Sequence, residues 1–91
     1  MEQRSIDEIL RDAPAIITGR QIRAARILIG LSRVELAELA GISEGTIRSI
    51  ELREIEISVR LETRLYLIDA LWRAGVRLLP NEGVERRDVP K

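Results

Sequence analysis

Apolar residues recur at three- and four-residue intervals through most of the chain, and residues that start and stop helices punctuate them. Ser5-Ile6-Asp7-Glu8 has the capping-box form, in which a hydroxyl and a carboxylate three residues apart satisfy orphan N–H groups. Ile6, Ile9, Leu10 and Ala13 follow on one face, and Pro14 stops this short helix. Thr18-Gly19-Arg20-Gln21 opens a second helix over about 19–29, with Ile22, Ala25, Ile29 and part of Leu28 facing in and Gly30 ending it. Ser32-Arg33-Val34-Glu35 opens a third that runs to Ala40 and ends at Gly41. Ser43 caps a fourth over 44–52, with Ile47 and Ile50 facing inward. A fifth runs over 59–74, carrying Leu61, Leu65, Ile68 and Trp72, with Gly75 after it. Ile55 and Ile57 in the connector 52–58 are expected to plug the core. Val76–Leu79 and Val84–Arg87, separated by Pro80-Asn81-Glu82-Gly83, read as a short β-hairpin or strand, followed by a frayed tail from Asp88. The expected fold is all-α, divided into an N-terminal extension (1–17), a helical domain (18–75) and a C-terminal strand and tail (76–91).

Composition removes whole classes of function. With no His and no Cys, the chain lacks the residues for a Ser-His triad, a thiol nucleophile, a structural zinc site or a disulfide. No cofactor or metal is expected, and a helical chain of 91 residues rarely encloses a catalytic pocket, so an enzyme is not expected. No apolar run approaches the ~20 residues of a membrane span, and the N-terminus has no secretory pattern, so the cytoplasm is the expected location. Fifteen basic groups balance fifteen acidic ones. Apart from Lys91, every basic residue is Arg, the side chain suited to bidentate contacts with phosphate or guanine. Binding through bulk charge is thereby excluded, and any nucleic-acid function must rest on where the arginines stand.

The segment Arg33–Leu52 is the most informative. Joining two helices through so short a turn needs a residue that accepts positive φ, here Gly41, and a small residue where the helices cross, here Ala37. It also needs apolar anchors for the second helix, here Ile47 and Ile50, with Leu36, Ala40 and Ile42 filling the gap. All of these stand where a helix-turn-helix requires them. On that spacing Glu44, Gly45, Arg48 and Ser49 face outward at the start of the second helix. Glu44 then has two roles open to it: an acceptor for a cytosine amine, or a first-turn charge against the helix dipole. Arg26 and Glu51 interrupt otherwise apolar stripes, and spacing alone allows either a buried pair or two solvated rim charges. Arg20, Arg23, Arg53 and Arg60 lie near helix ends where phosphate clamps are expected, whereas Arg64 and Arg73 are expected to pair along the helix surface with Glu62, Glu56 or Asp69.

From Gly30 to Glu51 the chain resembles the phage-repressor (Cro/cI, XRE-type) helix-turn-helix family, and the likeness extends over about 18–74. Gly75-Val76-Arg77-Leu78-Leu79-Pro80 is similar to the segment that follows the domain in small bacterial single-domain members. The resemblance implies a lambda-repressor-like bundle of four to five helices, with an extra N-terminal helix and the C-terminal hairpin as additions. It implies an operator-binding transcription regulator, most often a two-fold dimer with the second motif helix in the major groove. By the same resemblance Glu44, Gly45 and Ser49 match base-reading positions, Ser43 and Thr46 match backbone contacts, and Arg26 and Glu51 match a structural ion pair. Arg33 matches a phosphate-bonding position that usually holds Gln, and Arg48 is expected to add a further phosphate contact. Glu44 departs from the usual Gln or Arg, and Gly45 offers no side chain to read a base.

Double-stranded DNA and a second copy are therefore the expected partners. The alternative is an antitoxin or anti-activator whose fold chiefly grips a protein partner. For the dimer interface, Val76, Leu78 and Leu79 look like apolar surface that the helical core does not use, with Tyr66 and Trp72 as aromatic anchors. On that view, truncation after Gly75 should leave a folded monomer.

Overall fold

A computed structural model describes residues 5–53 and 60–88. Five helices are followed by a hairpin: α1 (Ile6–Asp12), α2 (Gly19–Leu28), α3 (Arg33–Ala40), α4 (Glu44–Arg53), α5 (Leu61–Ala74), β1 (Val76–Leu78) and β2 (Val84–Arg86). The bundle is the all-α helix-turn-helix type, with one small antiparallel ribbon added. The first three helices begin with complete capping boxes, Ser5 with Glu8, Thr18 with Gln21, and Ser32 with Glu35. Each local sequence therefore satisfies its own helix start before any tertiary contact forms.

Ile17, Ile22, Leu36, Ile47, Leu67, Leu71 and Val76 are the largest apolar side chains shut off from solvent. α5 buries a wider face than its simple periodicity predicts, because α1, α3 and β1 all pack on it. Leu67, Ala70 and Leu71 join Leu65 and Ile68 in the core, while Leu61, expected inside, is exposed at the helix start. On α1 only Ile9 is buried, and the expected inward residues Ile6 and Leu10 face solvent. Leu28 is likewise exposed, and Ile29 is half-buried. Ile55 and Ile57 lie outside the described residues.

The hairpin corrects the expectation of an unused apolar surface. Val76 pairs with Arg86 and Leu78 with Val84, and Val76 and Leu78 are buried in the same core as the helices. An isolated two-stranded ribbon is marginal in water, and this one is stable because it is built onto α2 and α5. Its turn places Asn81 and Glu82 at φ 59° and 63°, a left-handed conformation that costs a non-glycine residue about 1 kcal/mol or more. Contacts with the start of α2 offset that cost. Thr18 Oγ1 donates to Glu82 Oε1 at 2.7 Å, and Arg20 reaches both Glu82 oxygens at 3.1 and 2.9 Å.

Gln21 completes the clasp. It is buried, closes the α2 capping box through its carbonyl oxygen, and donates from Nε2 to the Leu79 and Gly83 carbonyls at 2.8 and 2.9 Å. The Thr18 hydroxyl, then Arg20, holds the Glu82 carboxyl below the usual Glu range. This contribution is therefore complete above the ordinary Glu pKa and is lost as pH falls through the lowered folded-state value.

Arg87 closes the other end of the ribbon, stacking its guanidinium 3.8 Å from the centroid of the Trp72 ring and donating to the Trp72 carbonyl. Trp72 is thus partly covered within the chain and is not a free interface anchor. Arg73 pairs with Asp69 at 2.9 Å as expected. Arg64 instead reaches back to the Pro14 and Ala15 carbonyls, fixing the α1–α2 connection.

Two losses of stability are expected in urea titrations. Gln21→Ala, which leaves the Leu79 and Gly83 carbonyls of the hairpin turn without their donor and the Thr18 N–H without its acceptor, should cost about 2–4 kcal/mol. Truncation after Gly75 strips Val76 and Leu78 from the core and should cost about 3–6 kcal/mol, so a fully stable fragment would contradict this packing.

Candidate nucleic-acid interface

α3 and α4 are joined through Gly41, at φ 71°. A Cβ there would meet nothing within 4 Å, so glycine is required by backbone conformation and not by space. The Gly41 N–H returns to Glu38 and the Ile42 N–H to Ala37, closing the carbonyl end of α3 within the turn. Ser43 then accepts the Thr46 N–H at 3.1 Å, and the two hydroxyls lie 2.7 Å apart. Ile47 and Ile50 are buried against α2 and α3, which fixes the rotation of α4. Gly45, Arg48 and Ser49 consequently face solvent, and Glu44 is partly exposed beside them.

Arg26 and Glu51 form the expected pair, with the carboxylate almost fully buried. Arg26 donates from Nε at 2.8 Å and from Nη2 at 2.9 Å to the two Glu51 oxygens, and from Nη1 to the Leu31 carbonyl at 2.9 Å. The hydrogen bond to Glu51 raises the Arg26 pKa above its ordinary value, outweighing desolvation. α2, the α2–α3 turn and α4 are thereby held by one charged junction.

Arg33 enlarges this junction in a way the spacing did not reveal. Its Nε lies 3.2 Å from Glu51 Oε1, with the side chain 36% exposed, so the expected phosphate ligand is anchored to the recognition helix itself. Arg48 is similarly engaged, with Nη2 lying 3.2 Å from Glu44 Oε1 one helical turn away. Glu44 and Arg48 therefore neutralise one another on the exposed face. Arg20 is paired with Glu82 at the hairpin turn, with most of its side chain exposed. Arg23 and Arg53 are exposed, and no described residue pairs with either. Of the residues expected at a dimer interface, Tyr66 is half exposed, Leu79 is partly buried, Trp72 lies under Arg87, and Val76 and Leu78 are interior.

The α3–turn–α4 unit, docked through its apolar side and presenting small, hydroxyl and charged groups on the other, defines a DNA-binding helix-turn-helix domain. Residues 22–61 match the family model described as Helix-turn-helix. This segment, from within α2 to the first residue of α5, is similar to the phage-repressor-like helix-turn-helix family, and α1, the rest of α5 and the hairpin lie outside the match. Comparison with curated proteins found no match. Among the described residues, no helix is long and apolar enough to cross a membrane, and no acidic group is arranged to hold a metal ion.

A double-mutant cycle measures the junction. Arg26→Ala and Glu51→Ala should each cost about 3–5 kcal/mol, with a coupling energy of about 2–3 kcal/mol in urea unfolding. Glu51→Ala should be the worse of the two, because it strands two arginines, whereas Arg33 remains beside Glu51 when Arg26 is removed.

Proposed function

We propose that this protein is a transcription repressor that binds a two-fold operator as a homodimer, with α4 in the major groove. One observation carries the proposal: a helix-turn-helix of the matched family whose second helix is locked by Ile47, Ile50 and Glu51 while its opposite face stays open. Glu44 and Ser49 read bases, with Gly45 at the base-facing position beside them; Ser43, Thr46, Arg33 and Arg48 contact the backbone, with Arg23 and Arg53 as outlying phosphate clamps. Gly45 admits the groove floor closely without contacting it through a side chain. Recognition therefore uses few direct base contacts and draws the remainder from DNA shape.

A single domain of this size buries only about 600–1,000 Å² on DNA, and a two-fold pair doubles that area and sets half-sites about 34 Å apart. With Val76 and Leu78 committed to the core, the apolar groups left for a second copy include Tyr66 and Leu61 on α5 and Leu52 at the end of α4. The Glu44–Arg48 pair supports a second reading, an antitoxin or anti-activator gripping a protein partner, because it removes net charge from the face that meets DNA.

A band shift against the gene's own promoter region at two salt concentrations separates these readings. The repressor should give a specific complex that weakens as salt rises. Arg48→Ala should weaken binding to every sequence and lower the log–log salt slope by about one. Glu44→Gln should tighten non-specific binding and relax the choice at one base pair. Equal, salt-independent binding by all three proteins would count against the repressor. Sedimentation should show a dimer that Tyr66→Ala weakens.

A further inference from the structure

Two arginines share one carboxylate at the α2–α3–α4 junction, and they share it unequally. Arg26 is 12% exposed, occupies both Glu51 oxygens and spends its third donor group on the Leu31 carbonyl. That pair is electrically complete. Arg33 is attached only through Nε, at 3.2 Å, on the Oε1 that already accepts from Arg26. Neither of its Nη groups has a partner among the described residues. The junction therefore carries one surplus positive charge, which resides on an open guanidinium fork at the first residue of α3.

Resting on the DNA-binding reading, we propose that Glu51 is a positioning residue that aims Arg33 at a backbone phosphate. A guanidinium is planar, so anchoring Nε on a buried, immobile carboxylate fixes the plane of the whole group. The outer edge, with both Nη groups, is then presented as the two-pronged donor that matches phosphate oxygens. The start of α3 adds the positive end of its dipole at the same place. Lysine would not serve, since its single ammonium would be drawn onto Glu51 and leave no second donor group in a defined direction. The same carboxylate thus sets the pose of α4 and the direction of the cation beside it, so base reading and phosphate contact share one register.

The role makes a prediction opposite in sign to simple electrostatics. Removing an acidic charge from a DNA-binding surface ordinarily tightens binding, whereas losing a positioning group weakens it. The experiment measures anisotropy of a short labelled duplex of mixed sequence between about 50 and 200 mM salt. It compares the full chain with Glu51→Gln, Arg33→Ala, Arg33→Lys and the Glu51→Gln/Arg33→Ala double variant, with circular dichroism confirming folding. Arg33→Ala and Arg33→Lys should each weaken binding several-fold and lower the salt slope by about one. Glu51→Gln should weaken it too, and the double variant should bind no worse than Arg33→Ala. Equal or tighter binding by folded Glu51→Gln, or a full salt slope in Arg33→Lys, would overturn the positioning role. If Glu51→Gln does not fold, Arg33→Lys decides alone. Absence of salt-dependent binding by the unmodified protein would overturn the DNA-binding reading, and the positioning role with it.

Discussion

A carboxylate taken out of water must be compensated where it sits, and Glu51 is compensated by side chains from two other helices. Burying it costs several kcal/mol unless Arg26 meets it with two hydrogen bonds. That requirement is directional, unlike the packing of Ile47 and Ile50, which excludes water but tolerates small rotations. The apolar contacts hold α4 against the bundle; the charged contacts determine which way it is turned. The groups on its outer face owe their arrangement to this junction more than to any bond among themselves.

A second polar knot, at the other end of α2, does the corresponding work for the periphery. Thr18, Arg20 and Gln21 stand at a helix start, and the hairpin turn offers their side-chain donors a carboxylate and two carbonyls. Glu82 brings a negative charge to the positive end of the α2 dipole while sitting in a conformation it would not adopt unaided. α2 thus joins both knots: its N-terminus holds the ribbon and Arg26, in its last turn, holds the recognition helix.

The elements were legible in the sequence because their signals are local. Three capping boxes, and glycines at 30, 41 and 75, mark the helix ends in the order in which the structure uses them. The Arg26–Glu51 pair was open on spacing and came only with the family resemblance. Contacts between distant segments left no such mark. Gln21 reads as an ordinary capping residue, because its second use depends on carbonyls 58 and 62 positions away. The ribbon looked spare because its alternation is too short to show which face is buried, and β1 is set inward by α2 and α5. Arg33 was legible as a cation at a helix start, but its carboxylate partner lies 18 positions on. The Glu44–Arg48 pair, one helical turn apart, is within reach of a sequence argument, since such spacing places the two side chains side by side.

The clasp between α2 and the hairpin also sets a timetable. α3, the turn and α4 find most of their partners within about two helices of chain, a short separation of the kind that favours rapid assembly. α2 closes its own capping box locally, but the acceptors for the Gln21 amide and the Thr18 hydroxyl lie more than fifty residues later. Until residues 79–83 are in place, the Gln21 amide and the Thr18 hydroxyl have only water to accept from them. The helix-turn-helix half of the molecule is therefore shaped mainly by near neighbours in sequence and the opposite half by distant ones.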